Sequence, residues 1–115
     1  MADQGSAHLW FFKDGKRYRV AQADIIYLEA DGYSTIAYCL GKQKDTIEVY
    51  SSGYNLGSYE GYLNDGFFRI HRKYWVNLHF FQSILRNMLE LSVSTLQPLP
   101  VSRRKRPLLL QKLLK

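Results

Sequence analysis

One stretch constrains this chain more than any other: Phe67–Asn77, which reads Phe-Phe-Arg-Ile-His-Arg-Lys-Tyr-Trp-Val-Asn. Phe68, Ile70, Tyr74 and Val76 fall on even positions, and Arg69, His71, Lys73 and Trp75 on odd ones. A β-strand sends alternate side chains to opposite faces. The even face is therefore predicted to enter a core, and the odd face to show cations and an aromatic ring outward. A second cationic stretch, Val101-Ser102-Arg103-Arg104-Lys105-Arg106, lies near the C-terminus. The rest of the chain is expected to be the scaffold that holds these two stretches side by side.

The charge is placed unevenly. Residues 1–65 carry six Lys/Arg against nine Asp/Glu, whereas residues 66–115 carry ten Lys/Arg against one acid, Glu90, within a net charge of +6. This asymmetry is what a polyanion-binding surface requires. The plainer alternative is a solvated basic face with no partner. At 115 residues the chain fits one domain able to bury a core. Nine Tyr and six Phe favour strands. Cys39 has no cysteine partner, which suits a reducing cytoplasm, and its apolar neighbours make it an inert strand residue. No apolar run approaches the roughly 18 residues of a membrane span. The polar start, Met1–Ser6, is not a signal peptide.

In chain order, Leu9–Lys13 and Arg17–Val20 read as a hairpin about Asp14-Gly15. Ala21–Asp24 is a connector with room for one helical turn. Ile25–Ala30 is nearly continuous in apolar character, as a central strand would be. Asp31-Gly32 turns the chain, Tyr33–Leu40 returns, and Asp45–Ser51 adds a strand after the turn at Gly41–Lys44. Ser52–Asn64 has helical spacing, despite Gly53, Gly57 and Gly61, so a short helix with a glycine face close to a sheet is expected. Beyond the organising strand come a hairpin about Asn87-Met88 and a proline-broken edge strand, Gln97–Val101. Pro107 opens a final helix whose greasy face is Leu108–Leu110, Leu113 and Leu114.

Catalytic chemistry finds little support. His8, His71 and His79 lack Cys or carboxylate partners at metal-ligand spacing, and Glu29 and Asp31 form no convincing acid/base pair. No phosphate loop or nucleophile motif is present. No enzyme activity, metal or cofactor is expected. Nucleic-acid binding fares better. Arg72, Lys73, Arg103, Arg104, Lys105 and Arg106 are cations suited to guanine edges and phosphates. Tyr33, Tyr74 and Trp75 stack near them or, for the last two, pack in the core. His71 reads as a hydrogen-bonding residue of that face.

Three segments resemble the LytTR-type DNA-binding domain, the output module of bacterial response regulators of the LytR/AgrA kind. Asp24-Ile25-Ile26-Tyr27-Leu28-Glu29-Ala30-Asp31-Gly32-Tyr33-Ser34 is similar to the family's "D-I-x-Y-x-E-A-x-x-x-Y-(S/T)". Phe68–Asn77 is close to its "F-x-R-I-H-R-S-Y-x-V-N", and Leu99-Pro100-Val101-Ser102-Arg103-Arg104 to its "L-P-V-S-R-R". The resemblance implies a mostly β fold, an elongated antiparallel β-sheet domain of about nine to ten short strands with one or two short helices. It implies loops inserted into successive major grooves of double-stranded promoter DNA, often at paired repeat sites, with bending of the duplex and a homodimer on DNA. The contacts it implies fall on Tyr33 and Ser34 in a first loop, Arg72 and Lys73 in a second, and Arg103 and Arg104 in a third; His71 beside the second, and Lys105 and Arg106 beyond the third, join them on their own chemistry. Lys73 replaces the family's usual Ser, and the glycine-rich Ser52–Gly61 stretch replaces a helix richer in Leu and Glu.

The expected function is therefore sequence-specific DNA binding by a bacterial, cytoplasmic transcriptional regulator. The alternative is a β-rich interaction module that docks an acidic protein through its basic face. Residues 1–7 are expected to be a disordered segment or cloning remnant, and residues 8–115 the LytTR-like domain. The residues ahead of Asp24 are too few for a receiver domain. The chain is thus expected either to be an excised output domain or to answer to a sensor elsewhere.

Overall fold

Asp14-Gly15 closes the first hairpin with positive φ at both residues, 51° and 78°, the geometry that a tight two-residue turn between twisted strands demands. From there the chain is laid down as short antiparallel strands. A computed structural model describes residues 7–114. The strands are β1 (His8–Lys13), β2 (Lys16–Ala21), β3 (Ile25–Asp31), β4 (Ser34–Leu40), β5 (Ile47–Ser52), β6 (Phe67–His71), β7 (Tyr74–Asn77), β8 (Phe81–Leu85), β9 (Met88–Leu91) and β10 (Leu99–Pro100). A helix, α1 (Arg106–Leu113), follows. The strands form a seven-stranded sheet, in the order β2-β1-β5-β4-β3-β7-β6, and a three-stranded sheet, β10-β9-β8. The expected mostly β, antiparallel fold is what forms, with principal extents of 39 × 34 × 28 Å. Of the segment 1–7, residues 1–6 lie outside the described residues. The carbonyl of Ala7 accepts the Gln22 N–H at 2.9 Å.

The large sheet is covered on both faces, and β3 shows how. Leu28 and Ala30 pack into one apolar cluster with Leu9, Phe11 and Val20 of the first hairpin, and with Leu56, Tyr59 and Leu63. Ile26 and Tyr27 pack into a second, with Leu89, Leu91 and Leu99 of the small sheet and Leu109 of α1. The β3–β4 register slips between Ile25 and Tyr27. That bulge lets the adjacent Ile26 and Tyr27 share one cluster while Ile25 joins the other. The near-continuous apolar run of β3 is the sequence signature of such a doubly covered strand.

In the organising stretch, Phe68, Ile70, Tyr74 and Val76 all join the second cluster, as the alternation predicts. The odd face does not simply point to solvent. Trp75 packs against the first cluster, since the hairpin and the segment after β5 cover that side too. Residues 52–64 also differ from expectation. Only a 3-10 turn forms, Leu56–Tyr59, capped by the Asn55 side chain accepting from the Ser58 N–H at 3.0 Å. The glycines penalise a longer helix, and an irregular path already buries Leu56, Tyr59 and Leu63. Nor do these glycines serve a close approach to the sheet: a Cβ on Gly53 or Gly61 would meet nothing within 4 Å, and one on Gly57 would make only ordinary contacts, with Asn55 Oδ1 at 3.6 Å and Arg69 Nη1 at 4.0 Å. In α1, Leu109 is buried and Leu113 packs against the same cluster, whereas Leu108 and, just past the helix, Leu114 are exposed, because two turns offer the core only one narrow stripe.

Buried polar groups fix the crossings. Asn77 donates to the Ile25 carbonyl at 3.0 Å and accepts from the His79 N–H at 3.1 Å. The Gln22 side chain donates to the Tyr62 carbonyl at 2.8 Å and accepts from the Asn64 N–H at 2.9 Å. Ile70 is fully buried in the cluster that joins the two sheets. Ile70→Ala should therefore lower stability by about 2–5 kcal/mol, read from urea midpoints. A loss below about 0.5 kcal/mol would show that this face of β6 is not in a packed core.

Candidate nucleic-acid interface

Three hydrogen-bonded neighbours along one edge of the large sheet bring together six of the sixteen Lys and Arg. β3 and β4 meet at Gly32-Tyr33, where Gly32 takes a positive φ of 61°. Tyr33 projects from this turn at 90% exposure, and Ser34 begins β4 half-buried. β7 runs antiparallel beside β3, with Glu29 opposite Tyr74, and the Ala30 N–H donates to the Lys73 carbonyl at 2.9 Å. The β6–β7 turn, with exposed Arg72 and Lys73, thus sits next to the first turn. On the far side of β6, the Ser102 N–H donates to the Ile70 carbonyl at 2.8 Å. That bond seats the Ser102–Arg106 stretch beside the second turn. Adjacent strands lie about 4.7–4.9 Å apart, so the three stretches are contiguous.

In the third stretch Ser102 organises the cations. Its carbonyl accepts the N–H groups of Lys105 and Arg106, both at 3.0 Å, and its hydroxyl accepts from Lys105 N–H at 3.2 Å. Arg103 and Arg104 are exposed in the resulting turn, while Lys105 and Arg106 are half-buried at the start of α1. Arg106 Nε donates to the Arg86 carbonyl at 2.7 Å, which ties the helix to the tip of the β8–β9 hairpin.

The second turn is held from within. Lys73 N–H donates to Nδ1 of His71 at 3.1 Å, so that nitrogen carries no proton in this arrangement. Partial burial, followed by the charges of Arg72 and Lys73, holds the His71 imidazole below its ordinary pKa. The His71 ring lies 5.7 Å from that of Tyr74, and Tyr74 continues through Tyr27, at 6.0 Å, to Tyr38, at 4.4 Å from Tyr27. Tyr38 donates to Glu29 at 2.9 Å, so the carboxylate considered for acid/base chemistry ends an aromatic ladder instead. Burial pushes the Cys39 thiol up to about 12, as an inert strand residue requires.

All nine residues named from the sequence lie on these three stretches. Two cations at the same edge were passed over. Arg69 was read only as an outward charge, yet its Nη2 donates to the Arg72 carbonyl at 2.7 Å. Arg86 was read only as part of a hairpin, and it sits at the tip with φ 57°. Arg69 meets the Arg72 carbonyl across the β6–β7 turn, and the Arg86 carbonyl meets α1 from a hairpin distant in sequence, neither of which alternation can show. Among the described residues, no group of His, Cys, Asp and Glu is arranged to hold a metal ion, and no helix is long and apolar enough to cross a membrane.

A two-sheet β scaffold that brings six exposed or half-buried cations to one edge presents a surface suited to a polyanion. More narrowly, the chain belongs to the LytTr DNA-binding domain family, whose sequence model matches residues 15–114. DNA binding, not catalysis, is the activity of that family of domains. Nothing among curated proteins matches the chain. Among solved structures, it is similar to the LytTr DNA-binding domain of a protein described as a methyl-accepting/DNA response regulator from Bacillus cereus. That match has a TM-score of 0.73 at 22% identity, and covers 95% of this chain and 98% of the other.

The lowered pKa of His71 carries a testable sign. The folded state binds fewer protons at this site than the unfolded chain does. Its contribution is therefore most favourable above the ordinary imidazole pKa of about 6.5, and stability should fall as pH drops through that value. An NMR titration should place the His71 midpoint below that of an exposed imidazole. A midpoint at or above about 6.5 would contradict the loop geometry.

Proposed function

We propose that this domain is the sequence-reading part of a bacterial transcriptional regulator, acting on double-stranded promoter DNA in the cytoplasm. In this reading it docks three stretches into successive major grooves: Tyr33-Ser34, His71-Arg72-Lys73 and Arg103–Arg106. The observation that carries the proposal is their contiguity, fixed by the Ala30–Lys73 and Ser102–Ile70 backbone bonds. Family membership supplies DNA as the ligand. The structural relative's description as a response regulator supports an output role under a receiver or sensor domain. Paired repeat sites and a homodimer assembled on DNA complete the reading.

Within the interface, readers and clamps are distinguishable. Arg103 is exposed immediately after the residue that β6 anchors, so its base is fixed and its guanidinium is free to meet a base edge. Lys105 and Arg106 lie at the entry to α1, where their charges oppose the helix dipole unless an anion sits there. They suit phosphate. An acidic protein partner has no observation in its favour beyond net charge. A gel shift on promoter fragments with excess non-specific competitor would support that alternative only if no fragment is retained.

If about five or six cations meet phosphate, log affinity should fall against log salt with a slope near −5, at roughly 0.9 per contact. A slope near zero between about 50 and 200 mM salt would rule out the phosphate clamp. Arg103→Ala should cost about 1–3 kcal/mol on the cognate site and flatten preference at one base position. Lys105→Ala should weaken all sequences alike and lower the salt slope by about one unit. Both variants are titrated on cognate and scrambled DNA at two salt concentrations. Equal losses on both DNAs for Arg103→Ala would make it a clamp.

A further inference from the structure

The Arg69 side chain is used in a way that no free surface cation requires. It stands opposite Trp75 across the β6–β7 pair, with its guanidinium 5.9 Å from the indole centroid. Its Nε is buried. On the other side lies the segment after β5, where a Cβ added at Gly57 would come within 4.0 Å of Arg69 Nη1. From this half-buried slot Nη2 reaches forward to the Arg72 carbonyl, at 2.7 Å.

That carbonyl and the Lys73 N–H are the two ends of one peptide group, and the peptide group is planar. The N–H end is held by Nδ1 of His71 at 3.1 Å, and the carbonyl end by Arg69. One peptide plane is thus pinned at both ends by side chains of the preceding strand. Its orientation sets ψ of Arg72 and φ of Lys73, and so the directions in which both side chains leave the turn. The next carbonyl, that of Lys73, is held in turn by the Ala30 N–H at 2.9 Å. The bond from Arg69 is charge-assisted, which makes it the stronger of the two side-chain pins.

We infer that Arg69 is a positioning residue for DNA recognition: it locks the Arg72–Lys73 peptide, and the second loop presents its cations from that fixed base. This rests on the second loop being a DNA contact. Binding constellations tolerate only about half an ångström of looseness, so releasing the carbonyl degrades discrimination before it removes charge from the interface.

Two variants of the whole domain test this. Arg69→Met removes the donor while keeping an apolar stem against Trp75. Arg69→Lys keeps the charge and a single donor. Amide hydrogen exchange at Lys73 is measured without DNA, and binding is measured on a site selected from random DNA and on its scrambled counterpart at two salt concentrations. For Arg69→Met, Lys73 exchange should accelerate by about tenfold or more, as local opening predicts. The cognate-to-scrambled ratio should fall by about tenfold, with the salt slope unchanged because no phosphate contact is lost. Arg69→Lys should recover part of both effects, and it carries the test alone if the Met variant fails to fold. A salt slope reduced by about one unit would make Arg69 a direct phosphate clamp and overturn the inference. Unchanged exchange at Lys73 would overturn it as well. If the unmodified domain fails to discriminate between the two DNAs, the DNA-reading role of the loop fails, and the exchange measurement still decides whether Arg69 locks it.

Discussion

The pairing of β3 with β7 is the constraint on which the rest of this molecule depends. It joins segments far apart in sequence, Tyr27–Glu29 and Tyr74–Val76, in one antiparallel ladder. Without it the first and second turns would belong to two separate hairpins. With it, Ala30 and Lys73 share a backbone hydrogen bond, and the turns are neighbours by construction. The ladder is stable because both strands bury residues on both faces: Leu28 and Trp75 toward one cluster, Tyr27 and Val76 toward the other. Burial of apolar area on two sides is what makes such a non-local closure favourable.

The third stretch depends on a single further link. Ser102 donates to Ile70 from the chain that leaves the small sheet, and Val101 beside it is buried in the cluster that glues the two sheets. The placement of Arg103 is therefore a consequence of core packing several residues away. Damage to the second cluster would separate the third stretch from the first two while leaving every cation in place. Affinity for phosphate and discrimination between bases would then part company, since the first needs only charge and the second needs register.

Much of this was legible in the sequence, for reasons that are local. Asp14-Gly15 encodes its own turn, because few other residue pairs accept positive φ twice. The alternation of Phe68, Ile70, Tyr74 and Val76 encodes which residues share a face. It does not encode whether the opposite face is also covered, so Trp75 read both as an outward ring and as a core residue, and it is packed. In Ser52–Asn64 the apolar spacing suited a helix, yet glycine entropy and scattered burial resolved into one 3-10 turn. The order of the three candidate stretches came from family resemblance, and their contiguity came only from the β3–β7 and Ile70–Ser102 links. Arg69 and Arg86 escaped notice because their meaning lies in backbone carbonyls brought near by turns, at Arg72 for one and at Arg106's reach for the other.

The start of α1 shows what this arrangement costs the free domain. Lys105 and Arg106 occupy the end of the helix where unpaired N–H groups already concentrate positive potential, and the first turn carries no acid. Ser102 offsets part of this by accepting the Lys105 and Arg106 N–H groups. What remains is a pole where two side-chain cations and the helix dipole repel one another, beside Arg103 and Arg104. For an isolated domain acids would serve better at these positions. A phosphate approaching this pole would add an attraction to each of these charges and to the helix dipole, offsetting their mutual repulsion. On the proposed reading, the same local charge that weakens the free helix terminus would strengthen a complex with DNA, and would link the stability of α1 to occupancy of that interface.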